Sequence, residues 1–126
     1  MKFHHIGIAC RNIEEEIENI KKIHEVLKCS PVIFDPEQNA GLCFIQLKDG
    51  VNIEMISGKQ VETILKRQIR YYHLCYEVDD IHEEIQKLLN ENAFLISPPK
   101  PAILFNNRLV AFLNVSYGII ELLNVK

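Results

Sequence analysis

A repeat at one fixed spacing constrains this chain more than any other feature. FHHIGIACRNIEEEIENI, residues 3–20, returns as YYHLCYEVDDIHEEIQKLL, residues 71–89. His5 is set against His73, Ile13 against Ile81, Glu15 against Glu83, Glu16 against Glu84, Ile17 against Ile85 and Ile20 against Leu88, all 68 residues apart. VNIEMIS around Glu54 returns as GIIELLN around Glu121 at an offset of 67. The chain therefore reads as two copies of one unit, about residues 1–58 and 69–126, each opening on a strand with a histidine and closing on a strand with a glutamate. At 126 residues, the expectation is a single domain, 1–126, built from both halves and able to bury a core without disulfides or a structural metal.

Local patterning supplies the elements. Phe3 to Cys10 alternates, with His4, Ile6 and Ile8 on one face and Phe3, His5, Gly7 and Ala9 on the other, the period of a strand. Small residues beside His5 leave room for another group, and suit a tightly packed barrel interior equally well. Asn12 is placed to cap a helix whose first turn carries Glu14, Glu15 and Glu16, and Ile13, Ile17, Ile20, His24 and Leu27 form its expected buried stripe. Three strands are expected after Lys28, separated by DPEQN and KDG, both rich in turn formers. In the last of them Val51, Ile53 and Met55 share a face and leave Asn52, Glu54 and Ile56 on the other.

Residues 59–68 read as a short helical connector. In the next strand Tyr72, Leu74, Tyr76 and Val78 oppose His73, Cys75 and Glu77, and Asp79 or Asp80 then caps a helix with the stripe Ile81, Ile85, Leu88 and Leu89. Strands are expected at about 94–97, 104–114 and 118–125, with SPPKPA, residues 97–102, too proline-rich for anything but a loop or an edge. The order β-α-β-β-β, twice, predicts an α+β fold of paired βαβββ modules. Each is expected to form a curved sheet with its helix on the convex side, and the two sheets to enclose a cleft faced by His5 and His73.

Composition narrows the function classes. A net charge of −3 gives no electrostatic footprint for nucleic acid, and the one basic cluster, Lys66, Arg67 and Arg70, reads as a solvated helix end. No run of about 18 apolar residues is available to span a bilayer, and Met1 leads straight into a strand pattern without a signal core. Cytoplasmic localisation, with no membrane partner, is the expectation. Cys10, Cys29, Cys43 and Cys75 fall in no close-ligand spacing, which suggests reduced thiols rather than structural zinc.

His5, Glu54, His73 and Glu121 occupy equivalent mid-strand places in the two copies, each opposite the residues expected to pack a helix. Two imidazoles and two carboxylates suit one divalent metal with positions left for water or substrate. Mixed N/O ligation permits Zn, Ni, Co, Mn or Mg.

FHHIGIACRNIEE, YYHLCYEVDDIHEEI and GIIELLNV resemble the vicinal oxygen chelate superfamily, which includes glyoxalase I, methylmalonyl-CoA epimerase, extradiol dioxygenases and antibiotic-resistance proteins. They look most like its epimerase-like branch, and the resemblance runs over essentially the whole chain. It implies the paired βαβββ fold, metal ligands at His5, Glu54, His73 and Glu121, and a homodimer. Departures are specific. Epimerases usually have glutamine where this chain has Glu54, whereas glyoxalase I has glutamate; yet the arginine that glyoxalase I carries four residues after its first histidine is Ala9 here. The additional third-strand carboxylate of epimerases falls at or beside Cys43. Extradiol dioxygenases use two histidines and a single glutamate, against which Glu54 argues.

The resemblance implies a metal-dependent lyase or isomerase that abstracts a proton next to a bound carbonyl or thioester, on a small 2-oxo compound, hemithioacetal or acyl thioester. Glu121 is the first choice of base and Glu54 the second. Arg108, in NNRLVAF, is the cation placed to hold a substrate carboxylate or phosphate, or else an exposed strand residue. Cys43 and Cys75 are candidates to face the cavity. The alternative function is a non-enzymatic, resistance-type protein that sequesters a small molecule in the same fold.

Overall fold

The computed structural model describes residues 1–126. Strands β1 (Lys2–Ala9), β2 (Val26–Cys29), β3 (Ile33–Asp35), β4 (Ala40–Leu47) and β5 (Asn52–Gly58) accompany helices α1 (Ile13–Ile23) and α2 (Glu62–Lys66). Then come β6 (Tyr71–Val78), α3 (Ile81–Asn90), β7 (Phe94–Ala102), β8 (Arg108–Val115) and β9 (Gly118–Asn124), completing an α+β chain. His5–Tyr72 forms one compact unit, and Met1–His4 with His73–Lys126 forms the other.

In the unit His5–Tyr72 the strand order is β2-β4-β5-β1, with β3 also paired to β4; β1 runs parallel to β5 and the other pairs are antiparallel. Asn12 caps α1 as expected, its Oδ1 accepting from the Glu15 amide at 2.9 Å. Ile13 and Ile20 turn inward onto Cys43, Ile45, Ile53 and Met55, with Ile6, Ile8 and Ile17 packed around them. Burying each such aliphatic side chain is worth about 1.5–3 kcal/mol, so this layer fixes which strand faces look toward the helix.

The helix ends sooner than its apolar stripe suggests. His24 is already extended, at φ −123° and ψ 150°, and Leu27 is 60% exposed in β2. Val26, Lys28 and Cys29 pair with Leu47, Gln46 and Ile45, and the Lys48 amide donates to Glu25 O at 2.9 Å. Ladder bonds thus replace helical ones from Glu25 onward, and this half is βαββββ rather than βαβββ.

The second unit keeps the expected order. Its strands run β6-β9-β8-β7, with β6 and β9 parallel. Asp80 is the cap, its Oδ1 accepting from the amides of His82 and Glu83. Ile81 and Ile85 of α3 pack on Ala111, Leu113, Ile120 and Leu122. SPPKPA lies within β7, on the edge of this sheet, paired only to β8 across two irregularities in register. β8 starts at Arg108 rather than near Leu104, because Ile103–Phe105 makes one 3-10 turn and Asn106 and Asn107 follow in the left-handed region at φ 56° and 62°.

Candidate metal centre

Each unit assembles one histidine with one glutamate. In the first, His5 Nε2 lies 3.3 Å from Glu54 Oε1; in the second, His73 Nε2 lies 3.2 Å from Glu121 Oε1. The reason is strand alternation. Ile6 and Ile8 of β1 and Ile53 and Met55 of β5 belong to the helix-facing core, so His5 and Glu54 share the opposite face. Ile120 and Leu122 of β9 and Tyr76 of β6 do the same for Glu121 and His73.

Register explains how the pairs close. Glu54 is flanked by Gly7 on β1 and Phe44 on β4, and Glu121 by Cys75 on β6 and Phe112 on β8. The small or short residue at position 7 or 75 lets the glutamate lean diagonally toward the histidine two residues earlier on that strand. Phe44 meets the His5 ring edge-on at a centroid distance of 5.6 Å and 89°, and Phe112 meets His73 at 5.3 Å and 78°. The same His–Glu–Phe triplet is therefore built twice. Phe44 and Phe112 carry no polar signal to mark them in the sequence, although they too stand 68 apart.

The donor chemistry fits a metal. His5, Glu54, His73 and Glu121 are all at most 4% exposed, and burying a carboxylate is costly unless it is paired or coordinates a cation. A charge-assisted N–H···O bond is shorter, about 2.7–2.9 Å. Separations of 3.2 and 3.3 Å are instead close to what two atoms span when each lies about 2.0–2.1 Å from a common ion. Asp35, also buried, has local partners: its Oδ1 accepts from the Glu37 amide and its Oδ2 from Gln38 Nε2.

The other expected residues divide. Cys75 shares the strand face of His73, but Cys43 lies in the helix-facing core with Ile45 and Leu47. The site-face residue of β4 beside Glu54 is thus Phe44, an aromatic with no proton to give or take. Arg108 lies on the face of Phe112, and its guanidinium is engaged: Nη2 reaches Glu77 Oε2 at 2.6 Å and Nε donates to Asn124 O at 2.8 Å. The arginine holds the Glu77 carboxyl below its usual range. Burial pushes the Cys10 thiol up to about 12 and the Cys43 thiol up to about 11.

Comparison with known proteins agrees with this construction. Residues 4–112 match the family described as Glyoxalase/Bleomycin resistance protein/Dioxygenase superfamily. The chain is 30% identical over 119 residues to a mitochondrial methylmalonyl-CoA epimerase from Dictyostelium discoideum, covering 90% of this chain and 70% of that one. Among solved structures, a methylmalonyl-CoA epimerase from Mycobacterium tuberculosis superposes with a TM-score of 0.83 at 14% identity, covering 98% of this chain and 87% of that one. A hypothetical protein from Bacillus halodurans C-125 gives 0.77 at 24% identity, covering 99% and 94%. Two half-units of one design, a buried histidine and glutamate in each, and a family match across most of the length lead to one assignment: the chain belongs to the glyoxalase/bleomycin resistance protein/dioxygenase superfamily, the vicinal oxygen chelate superfamily, and has its glyoxalase-like fold.

Proposed function

We propose that His5, Glu54, His73 and Glu121 together hold one divalent metal ion, and that the protein is a lyase or isomerase removing a proton beside a carbonyl or thioester. The duplicated buried His–Glu pair carries this reading. A bound ion supplies Lewis acidity toward the substrate oxygen, which lowers the cost of removing the adjacent proton. His5 and His73 serve as neutral donors fixed by their strands. Glu121 accepts the proton on a carboxylate oxygen and returns it, and Glu54 is the spectator. Phe44 on β4 and Phe112 on β8 offer no proton acceptor beside the two glutamates, which supports giving the transfer to Glu121 itself. Arg108 is the candidate cation for a substrate carboxylate or phosphate, which would have to exchange places with Glu77.

The name of the 30%-identical relative makes methylmalonyl-CoA the first substrate to test, with the glutathione hemithioacetal of methylglyoxal second. We further propose a homodimer in the cytoplasm. The deciding measurement is exchange of the substrate α-proton with deuterated solvent by protein reloaded with Zn, Ni, Co, Mn or Mg. Glu121→Gln keeps a neutral oxygen donor and nearly the same volume but cannot take the proton. Exchange is expected to fall by about 10²–10⁴ with metal content unchanged, and Glu54→Gln is expected to cost less. Exchange lost in Glu54→Gln and kept in Glu121→Gln would reverse the two roles. No exchange with either substrate under any metal would favour the sequestering function.

A further inference from the structure

Cys29 and Cys43 stand apart from the metal centre. Cys29 is exposed on β2 and Cys43 is buried on β4, and their sulfurs are 3.8 Å apart. Both are free thiols. They are diagonal neighbours across an antiparallel pair, since Cys29 is in register with Ile45, two residues beyond Cys43. Ser30 encloses the pair: its amide donates to Phe44 O at 2.8 Å, its Oγ accepts from the Phe44 amide at 2.8 Å, and the Cys43 thiol donates to Ser30 O at 3.3 Å. The Ser30 hydroxyl is also within 3.7 Å of Cys43 Sγ, so it can donate to a thiolate formed there.

We propose that Cys29 and Cys43 are a redox-active dithiol that closes to a disulfide on reaction with a small disulfide such as oxidised glutathione. Two features favour closure. A disulfide needs the sulfurs at about 2.05 Å, and the remaining approach falls on β2, the edge strand of its sheet, whose register with β4 already shifts between Val26 and Lys28. The two thiols also differ in access, and thiol–disulfide exchange needs one accessible attacker and one nearby resolver. Cys10 and Cys75 are both buried.

The chemistry balances in two exchanges. The Cys29 thiolate attacks one sulfur of oxidised glutathione, forms the mixed disulfide and releases one glutathione thiolate, which takes up the Cys29 proton. The Cys43 thiolate then attacks the Cys29 sulfur, forms the protein disulfide and releases the second glutathione, which takes up the Cys43 proton. Two protein thiols are oxidised and one glutathione disulfide is reduced to two thiols. Burial raises the Cys43 thiol, so the second step is expected to be the slower and to speed up with pH.

The test is intact-mass analysis and peptide mapping of the full chain in reduced and oxidised glutathione at increasing ratios. Wild type is expected to lose two hydrogens without retaining an adduct, and to yield one cross-linked peptide pair containing Cys29 and Cys43. Cys43→Ala places at 43 the residue found at the equivalent Ala111 and should accumulate one glutathione on Cys29. Cys29→Ser should remain unmodified while native. A wild-type protein that stops at the mixed disulfide, or that closes through Cys10 or Cys75, overturns the proposal. Circular dichroism of each variant separates a lost reaction from a lost fold.

Discussion

A ring packed edge-on against an imidazole does more than fill space, because it restricts the plane in which Nε2 can point. Such aromatic contacts are worth about 0.5–1.5 kcal/mol beyond area burial, which corresponds to up to about tenfold in a binding constant. Phe44→Leu and Phe112→Leu are therefore each expected to weaken metal binding by up to about tenfold by calorimetric titration, whereas Phe44→Tyr, which keeps the ring, should stay near wild type. Unchanged affinity in both leucine variants would leave the two rings as packing alone. A second residue pair titrates in acid. Arg108 favours ionised Glu77 in the folded chain, so its contribution is complete above the unfolded carboxyl value of about 4.3 and is lost as pH falls through the lower folded value. Arg108→Met should lower the melting temperature at pH 7 and have progressively less effect toward pH 3. His5, Glu54, His73 and Glu121 were legible in the sequence because each stands out against its strand's apolar pattern. Phe44 and Phe112 were not, since a phenylalanine on a strand looks like any core residue until register sets it beside a glutamate. The position beside Glu54 on β4 falls to Phe44, next to Cys43, and Cys43, expected as a candidate to face the cavity, turns to the opposite face.

At the level of the elements, propensity and tertiary pairing competed at known places. Both main helices begin where a capping side chain meets an apolar stripe, and removing the cap by Asn12→Ala or Asp80→Ala should cost about 1 kcal/mol each in denaturant unfolding. The end of α1 was not legible, because His24 and Leu27 continue the helical spacing while the hydrogen bonds that stop the helix come from β4, some twenty residues later. The turn after β5 has a firmer signature. Gly58 sits at φ 100° and ψ −162°, and a Cβ there would come within 3.1 Å of Asn39 O. Strain and the close backbone both oppose a side chain, so Gly58→Ala is expected to destabilise by about 1–3 kcal/mol, visible as a lower urea midpoint. A midpoint equal to wild type would show that the turn relaxes freely.

For the whole molecule, the repeat means that each half supplies half of the proposed ligand set, and metal should act as a stabiliser of the folded chain. At a free concentration of 100 times Kd the gain is about 2.7 kcal/mol, so differential scanning calorimetry should record a higher melting temperature with metal, reversed by chelator and absent in the His5→Ala/His73→Ala double variant. The proposed dimer predicts a light-scattering mass of about twice 14.6 kDa at micromolar concentration. How such a dimer can form is limited by β7. This strand lies at the border of its sheet and carries Pro98, Pro99 and Pro101 within Phe94–Ala102, and a proline has no N–H to offer a neighbour. Successive residues of a strand turn their N–H groups to opposite sides, so only some of these prolines fall in the outward row, and there they interrupt the backbone bonding a visiting strand would need. A partner of this stretch would lean more on side chains than on backbone bonds, and the same interruptions work against growth of this apolar border into a fibre.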